Sequence, residues 1–142
     1  MSRHLAVLGS PISHSKSPAI HAAAYRTLQL NWDYSKVEVE QGRLMQFIEA
    51  LDSDWLGLSI TMPLKEEALE LKMDIQIDDL GRRIQSINTL IRHGESWRAT
   101  STDGSGFKKA LINAGHDRFE SVLILGAGGT ARAVAGALEI TT

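Results

Sequence analysis

Ser121-Val122-Leu123-Ile124-Leu125-Gly126-Ala127-Gly128-Gly129-Thr130-Ala131 is an apolar run that ends in a glycine-rich turn and opens a helical stretch over 130–138. The run reads as a buried strand, Ser121 to Leu125. The turn meets the pattern G-x-G-x-x-G/A at Gly126, Gly128 and Ala131. The first glycine allows a tight turn, the second lets the backbone approach a pyrophosphate, and the helix amides and dipole face the anion. Any turn between a strand and a helix favours glycine, so the strand before and the helix after are what tie this one to a dinucleotide. Gly126, Ala127, Gly128, Gly129, Thr130 and Ala131 are therefore read as cofactor-binding. The residue that reads the ribose lies ~20 residues further on in such units, and the sequence stops at Thr142. NAD and NADP are not distinguished by these residues.

One strand and one helix after residue 119 would lack neighbours for the strand and for the apolar side of the helix. The expectation is a truncated chain. Residues 1–115 would form a domain of their own and residues 116–142 the opening of a Rossmann-type second domain, with little activity in the piece alone.

Upstream, strands and helices alternate. Leu5 to Leu8 is a short apolar run entering Gly9-Ser10-Pro11. Ser17-Pro18 supplies an N-cap and a first-turn proline for a helix with Ile20, Ala23, Ala24, Thr27 and Leu28 on one stripe. Trp32 to Val39 reads as a strand, Gly42 to Leu51 as a helix and Leu56 to Ile60 as a third strand. Two short helices are expected at Glu66 to Lys72 and Ile75 to Arg83. Thr89 to Arg92 and Ser96 to Thr100 would pair across a turn containing Gly94. Asp103 starts a helix with Phe107, Ala110, Leu111 and Ala114 as its stripe and Gly115 as its stop. This order predicts the α/β class, with a mixed or parallel sheet and helices on both faces.

Composition narrows the partners. At 43% hydrophobic and 23% charged residues, the chain is in the range of an ordinary soluble globular protein. A formal charge of −2 with scattered Lys and Arg gives no basic surface for nucleic acid or an anionic membrane. There are no cysteines, so a disulfide framework and thiolate metal sites are excluded, and a reducing compartment fits. No apolar stretch nears the roughly 20 residues that span a bilayer, and the amino terminus lacks a signal peptide's apolar core. The expectation is a cytoplasmic protein. The five histidines have no metal-ligand spacing, so no metal is predicted. Trp32, Trp55 and Trp97 read as packing residues, since no basic groove accompanies them.

Two segments carry chemistry. Gly9-Ser10-Pro11-Ile12-Ser13-His14-Ser15-Lys16-Ser17-Pro18 sets hydroxyls and amides at a strand-to-helix junction, which suits a carboxylate. Ser15 and Ser17 can add hydrogen bonds to it; alternatively Ser17 only caps the helix. The second is Lys65, after the Thr61-Met62-Pro63-Leu64 turn, with Asp103 in Ser101-Thr102-Asp103-Gly104. Alcohol oxidation removes a hydroxyl proton as hydride leaves, and ketone reduction returns one, so a single positioned group serves as base and acid. A lysine can do so, because burial lowers an ammonium's pKa while a carboxylate raises it. Asp103 would also fix the amine's direction, or cap its own helix.

Taken together, these segments resemble the shikimate dehydrogenase family. Its G-x-P-I-x-H-S-x-S-P opening corresponds to Gly9 through Pro18, and its Asn-Val-Thr-x-Pro-x-Lys to Ser59 through Lys65. Its Asn-Thr pair corresponds to Asn88-Thr89, its Asn-Thr-Asp-x-x-Gly to Ser101 through Gly106, and its Gly-Ala-Gly-Gly turn to Gly126 through Gly129. The resemblance covers the whole chain but only the amino-terminal part of the family's length. It implies NADPH-dependent reduction of 3-dehydroshikimate to shikimate, in the pathway to chorismate and the aromatic amino acids. Ser15 and Ser17 would hold the substrate carboxylate. Thr61, Lys65, Asn88 and Asp103 would surround the ring hydroxyls, with Lys65 and Asp103 catalytic. A homodimer is compatible with it, and Asp79 would approach the cofactor as in some members.

Three departures stand out. Ser59 and Ser101 replace asparagines usual in the family, and Gln85-Ser86 stands where Gly-Ala is common. Serine is shorter and makes fewer hydrogen bonds, which bears on substrate choice more than on reaction type. Two alternatives stay open: a quinate/shikimate dehydrogenase using NAD or NADP, and a non-catalytic module that binds a cyclic hydroxy acid.

Overall fold

Leu5 to Leu8 alternate between two environments, and that alternation fixes the layers. The computed structural model describes residues 2–138. Strand β1 (Arg3–Gly9) sends Ala6 and Leu8 into a large core on one side of the sheet and Val7 into a smaller one on the other. Helix α1 (Ser17–Thr27) covers the smaller side. Strand β2 (Trp32–Glu38), helix α2 (Leu44–Glu49), strand β3 (Trp55–Ile60) and the single turn α3 (Leu64–Glu67) follow. Leu44, Ile48 and Leu64 from the two later helices fill the large core with Leu58, Ile60, Leu90 and Trp97.

The chain continues through strand β4 (Ile75–Ile77), helix α4 (Asp79–Ile84), strands β5 (Thr89–His93) and β6 (Ser96–Thr100), and helices α5 (Asp103–Asn113) and α6 (Gly129–Ala137). The six strands lie in the order β2-β1-β3-β5-β6-β4. β1 runs parallel to both β2 and β3, while β5 is antiparallel to β3 and β6, so the sheet is mixed. Among the described residues no helix is long and apolar enough to cross a membrane.

The α/β class is as expected, with several local corrections. Ile75 to Ile77 is a strand: the two isoleucines alternate about Gln76 and pair in parallel with Trp97 to Ala99. Asp78 then caps α4 through a 2.7 Å bond from the Gly81 amide. The expected Glu66–Lys72 helix is only the turn at Leu64–Glu67. Ser17 does not cap α1; it is the first helical residue, Lys16 occupies the cap position, and the Ser15 hydroxyl accepts from the Ser17 amide at 3.3 Å. The stripe proposed for α1 faces outward, with Ile20 and Leu28 both more than 60% exposed, and Tyr25 is the residue it buries. Phe107 on α5 is likewise exposed.

The largest correction concerns residues 121–125, which form no strand. Leu123 and Leu125 are 85% and 89% exposed. A parallel strand needs partners at its edges and cover on both faces, and the described residues supply neither. The glycine turn and its helix form regardless, because α6 docks elsewhere. Gly104 on α5 lies so close to the Ala133 carbonyl and Ala137 that it has no room for a Cβ, and Gly136 packs against Ile84. The predicted 116–142 segment extends past residue 138, and its last four residues lie outside the described ones.

Candidate functional site

In the order β2-β1-β3, chain connections leave β1 and β3 in opposite directions, and ligands of open α/β sheets bind beyond the carboxyl ends of strands at such a switch point. The two loops that carry the predicted residues leave from there. The Thr61 amide donates to the Leu8 carbonyl at 2.9 Å and the Ser10 amide to the Met62 carbonyl at 3.0 Å, which binds the loop after β1 to the turn before α3. Gly9 permits this approach, since a Cβ there would lie 2.5 Å from Thr61 Cγ2.

Lys65 is the second residue of α3, and buried Leu64 anchors that turn to the core. Its carbonyl accepts from the Ile87 amide at 3.0 Å, and the Ile60 amide donates to the Asn88 carbonyl at 2.7 Å. The Asn88 side chain donates to Asp103 Oδ1 at 2.6 Å and to Thr102 Oγ1 at 3.1 Å. Its Oδ1 accepts from the Thr102 amide and the Thr89 hydroxyl. Asn88 therefore orients the carboxylate of Asp103, whose other oxygen accepts from Lys65 Nζ. The pair is mostly shielded, with side chains 15% and 23% exposed. Asp103 does not cap α5: Thr102 holds that position, and the carboxylate is committed to Asn88 and Lys65.

Thr61, Lys65, Gly126, Gly128, Gly129 and Thr130 line one cavity of about 560 Å³. Gly126 has φ +119, which an L side chain adopts only with strain, and a Cβ on Gly126 or Gly128 would meet open space. The turn thus offers exposed backbone and free volume ahead of the nine-residue α6, which fits a pyrophosphate. Ala131 lies in the same wall. Ala127 does not, and its carbonyl accepts from Arg132 Nη1 at 2.9 Å. Ser15 and Ser17 stand at the start of α1, on a different loop from the Lys65–Asp103 pair. Among the described residues no cluster of His, Asp and Glu gathers to hold a metal ion.

Sequence reasoning missed four features. Arg132 donates to the carbonyls of Ile84, Gln85 and Ala127 and to Glu66 Oε1, at 2.6–2.9 Å, and so ties α6 to the end of α4 and to the residue beside Lys65. No spacing rule points from position 132 to those carbonyls. Gln85, where glycine is common, ends α4 at φ +51. Ser86 is fully buried against Gly129 with its hydroxyl unpartnered. A second cavity, about 600 Å³, lies against Glu66, Arg82 and Arg132, but both arginines are already bonded to backbone carbonyls.

The fourth feature is on the α1 side. The Tyr34 hydroxyl donates to Ser59 Oγ at 2.6 Å, and its ring stacks on His21 at 3.9 Å. Burial pushes the Tyr34 phenol up from its usual value, and the Ser59 bond opposes this to a lesser degree. Burial also raises Tyr25, with the nearby Tyr34 and Asp33 charges adding to it. These are the two tyrosines of the chain. Absorbance titration should therefore show phenolate forming above the usual value of about 10 in the folded chain and near it in urea. Since the folded state holds its protons longer, this contribution to stability is present below that value and lost as pH rises through the folded one. Coincident folded and unfolded titrations would refute the burial.

The geometry is that of a mixed α/β sheet with a lysine–carboxylate pair at its switch point, facing a glycine-rich turn of dinucleotide type. The sequence model of the shikimate dehydrogenase substrate binding domain matches residues 7–90. The chain belongs to the shikimate dehydrogenase family. The NADP(+) shikimate dehydrogenase of Hyphomonas neptunium is 37% identical over 140 residues, covering 97% of this chain and 51% of the relative. A Mycobacterium fortuitum shikimate 5-dehydrogenase structure is 44% identical with TM-score 0.83, covering 96% of this chain and 50% of that one. The Thermus thermophilus enzyme in complex with NADP(H) and shikimate is 35% identical with TM-score 0.86, covering 95% and 51%. The chain spans about half the length of the relatives it matches.

Proposed function

We propose that the chain is the substrate half of an NADPH-dependent shikimate dehydrogenase, which reduces 3-dehydroshikimate to shikimate in chorismate biosynthesis. The observation that carries this is the Asn88–Asp103–Lys65 series beside the glycine turn. The substrate and cofactor are taken from the relatives, the NADP(+) shikimate dehydrogenase of Hyphomonas neptunium and the Thermus thermophilus enzyme in complex with NADP(H) and shikimate. The turn Gly126–Ala131 would hold the pyrophosphate, and bound NADPH supplies the hydride. Residues 1–115 are assigned to the substrate domain and 116–142 to the nucleotide domain, in the cytoplasm of a cell that makes its own aromatic amino acids.

Every other demand falls on the chain itself. As the ketone carbon becomes an alcohol carbon, its oxygen gains negative charge and takes a proton from Lys65 Nζ, leaving a neutral amine that solvent reprotonates. Asp103 keeps the ammonium aimed and offsets its charge, and Asn88 keeps Asp103 aimed. Ser15, Ser17 and the first amides of α1 would receive the ring carboxylate at the end of β1. Thr61 would meet a ring hydroxyl.

Completing the chain with the carboxy-terminal half of a relative permits a direct test. Oxidation of shikimate with NADP+ should exceed that of quinate by at least about tenfold in kcat/KM. Comparable rates on quinate would identify a quinate/shikimate enzyme, and binding without turnover a non-catalytic module. In the same protein, Ser15→Ala should raise KM for shikimate about tenfold, with turnover within about twofold, as loss of one hydrogen bond to a charged group would. A fall in turnover at unchanged KM would remove the carboxylate from that position.

A further inference from the structure

The Thr130 hydroxyl lies 3.1 Å from Lys65 Nζ, and 3.5 Å from Asp103 Oδ2. It accepts from the ammonium and donates toward the carboxylate, which closes a three-member ring of charge and hydroxyl. We propose that Thr130 is a positioning residue for Lys65, an inference that rests on the reduction described above. An ammonium has three N–H donors and no acceptor. Asp103 takes one and Thr130 a second, which leaves a single N–H for a substrate oxygen. Gly129 walls the same lysine from the side, its Cβ direction lying 3.4 Å from Lys65 Cδ. The donor therefore has one direction available, into the cavity shared with Thr61.

This reassigns Thr130. Read from the sequence it belongs with the cofactor ligands, yet its hydroxyl is spent on the proton donor. The glycine turn is thereby joined to the catalytic lysine by a side chain as well as by packing: Thr130 follows Gly129 directly, and two residues later Arg132 holds Glu66, the neighbour of Lys65. Without that hydroxyl two N–H groups would be free and the lysine could turn between them.

The test has two arms. In the 15N-labelled 142-residue chain, water exchange of the Lys65 ammonium, assigned by its disappearance in Lys65→Arg, is compared among variants. Thr130→Val, which keeps the shape and removes the hydroxyl, should quicken exchange at least about fivefold, the loss of one hydrogen bond, while Thr130→Ser keeps it slow. In the completed enzyme, Thr130→Val should lower kcat about 5–20-fold with KM within about twofold, and Thr130→Ser should recover most of that loss. Should Thr130→Val fail to fold, Thr130→Ala takes its place. Unchanged exchange and kcat in Thr130→Val would overturn the proposal, as would a Thr130→Ser variant as impaired as Thr130→Val, which would assign the effect to methyl packing. If exchange follows the expected order but the unsubstituted enzyme does not turn over, the tether stands and the reaction assignment falls.

Discussion

Lys65→Met in the completed enzyme is expected to lower kcat by about 100-fold or more while KM for shikimate changes by less than about threefold. Methionine keeps the apolar stem of lysine at nearly its length and removes the ammonium, and with it the proton to be transferred. The carboxylate of Asp103 would lose the ammonium but keep its 2.6 Å bond from Asn88 and the contact with Thr130, so the loop should hold its shape. A group that only helps bind the ring would produce the opposite split, with KM rising and kcat preserved. That result would move Lys65 from proton transfer to recognition. Because Lys65 is bonded to both Asp103 and Thr130, the effects of substituting all three should fall well short of additive.

Trp97→Ala should cost about 3–5 kcal/mol of folding stability, read as a lower urea midpoint at unchanged slope. Trp97 is 1% exposed and sits on β6, between β5 and the short β4. It pairs across the sheet with Ile75 and Arg92, its amide donates to the Asp74 carbonyl, and the Arg92 guanidinium lies 4.7 Å above its ring. Removing the indole leaves a cavity beside a three-residue strand with few other holds. Arg92→Ala, which removes the cation and keeps the ring, should cost no more than about 1 kcal/mol. Equal costs for the two substitutions would mean that the ring is not the anchor of this edge.

Much of the architecture was legible in the residues because burial on a sheet leaves short apolar runs, and those at 5–8 and 56–60 each became a strand, as did the two arms expected to pair across the Gly94 turn. The reading failed where the pattern was too short or the partner lay far away. Ile75-Gln76-Ile77 satisfies a helical stripe as readily as a strand until Trp97 and Ala99 are beside it. Leu123 and Leu125 carry the composition of a buried strand, yet among the described residues nothing covers them. In α1, Ile20 and Leu28 outrank Tyr25 on any apolar scale, yet Tyr25 faces the ring of Trp32 and the stacked His21–Tyr34 pair.

The site divides the same way. Lys65 and Asp103 are 38 residues apart and no local rule joins them; the motif order did so, by resemblance, and the fold brings them into contact through Asn88. Thr130 was read only as part of the cofactor turn and Arg132 not at all, because their side-chain partners depend on how α6 docks. The Tyr34–Ser59 bond was equally hidden, though it explains how a serine at position 59 is accommodated: the phenol hydroxyl reaches in to meet the shorter side chain.

The central claim, that the carboxyl ends of β1 and β3 form a site for a cyclic hydroxy acid with Lys65 at its centre, is tested most directly by titrating the 15N-labelled chain with shikimate. The account predicts saturable shifts at Ser15, Ser17, Thr61, Asn88 and Asp103 and at the Lys65 ammonium, abolished or weakened at least about tenfold by Ser15→Ala. Saturable shifts confined to another face, or shifts at Lys65 that persist unchanged in Ser15→Ala, would contradict it.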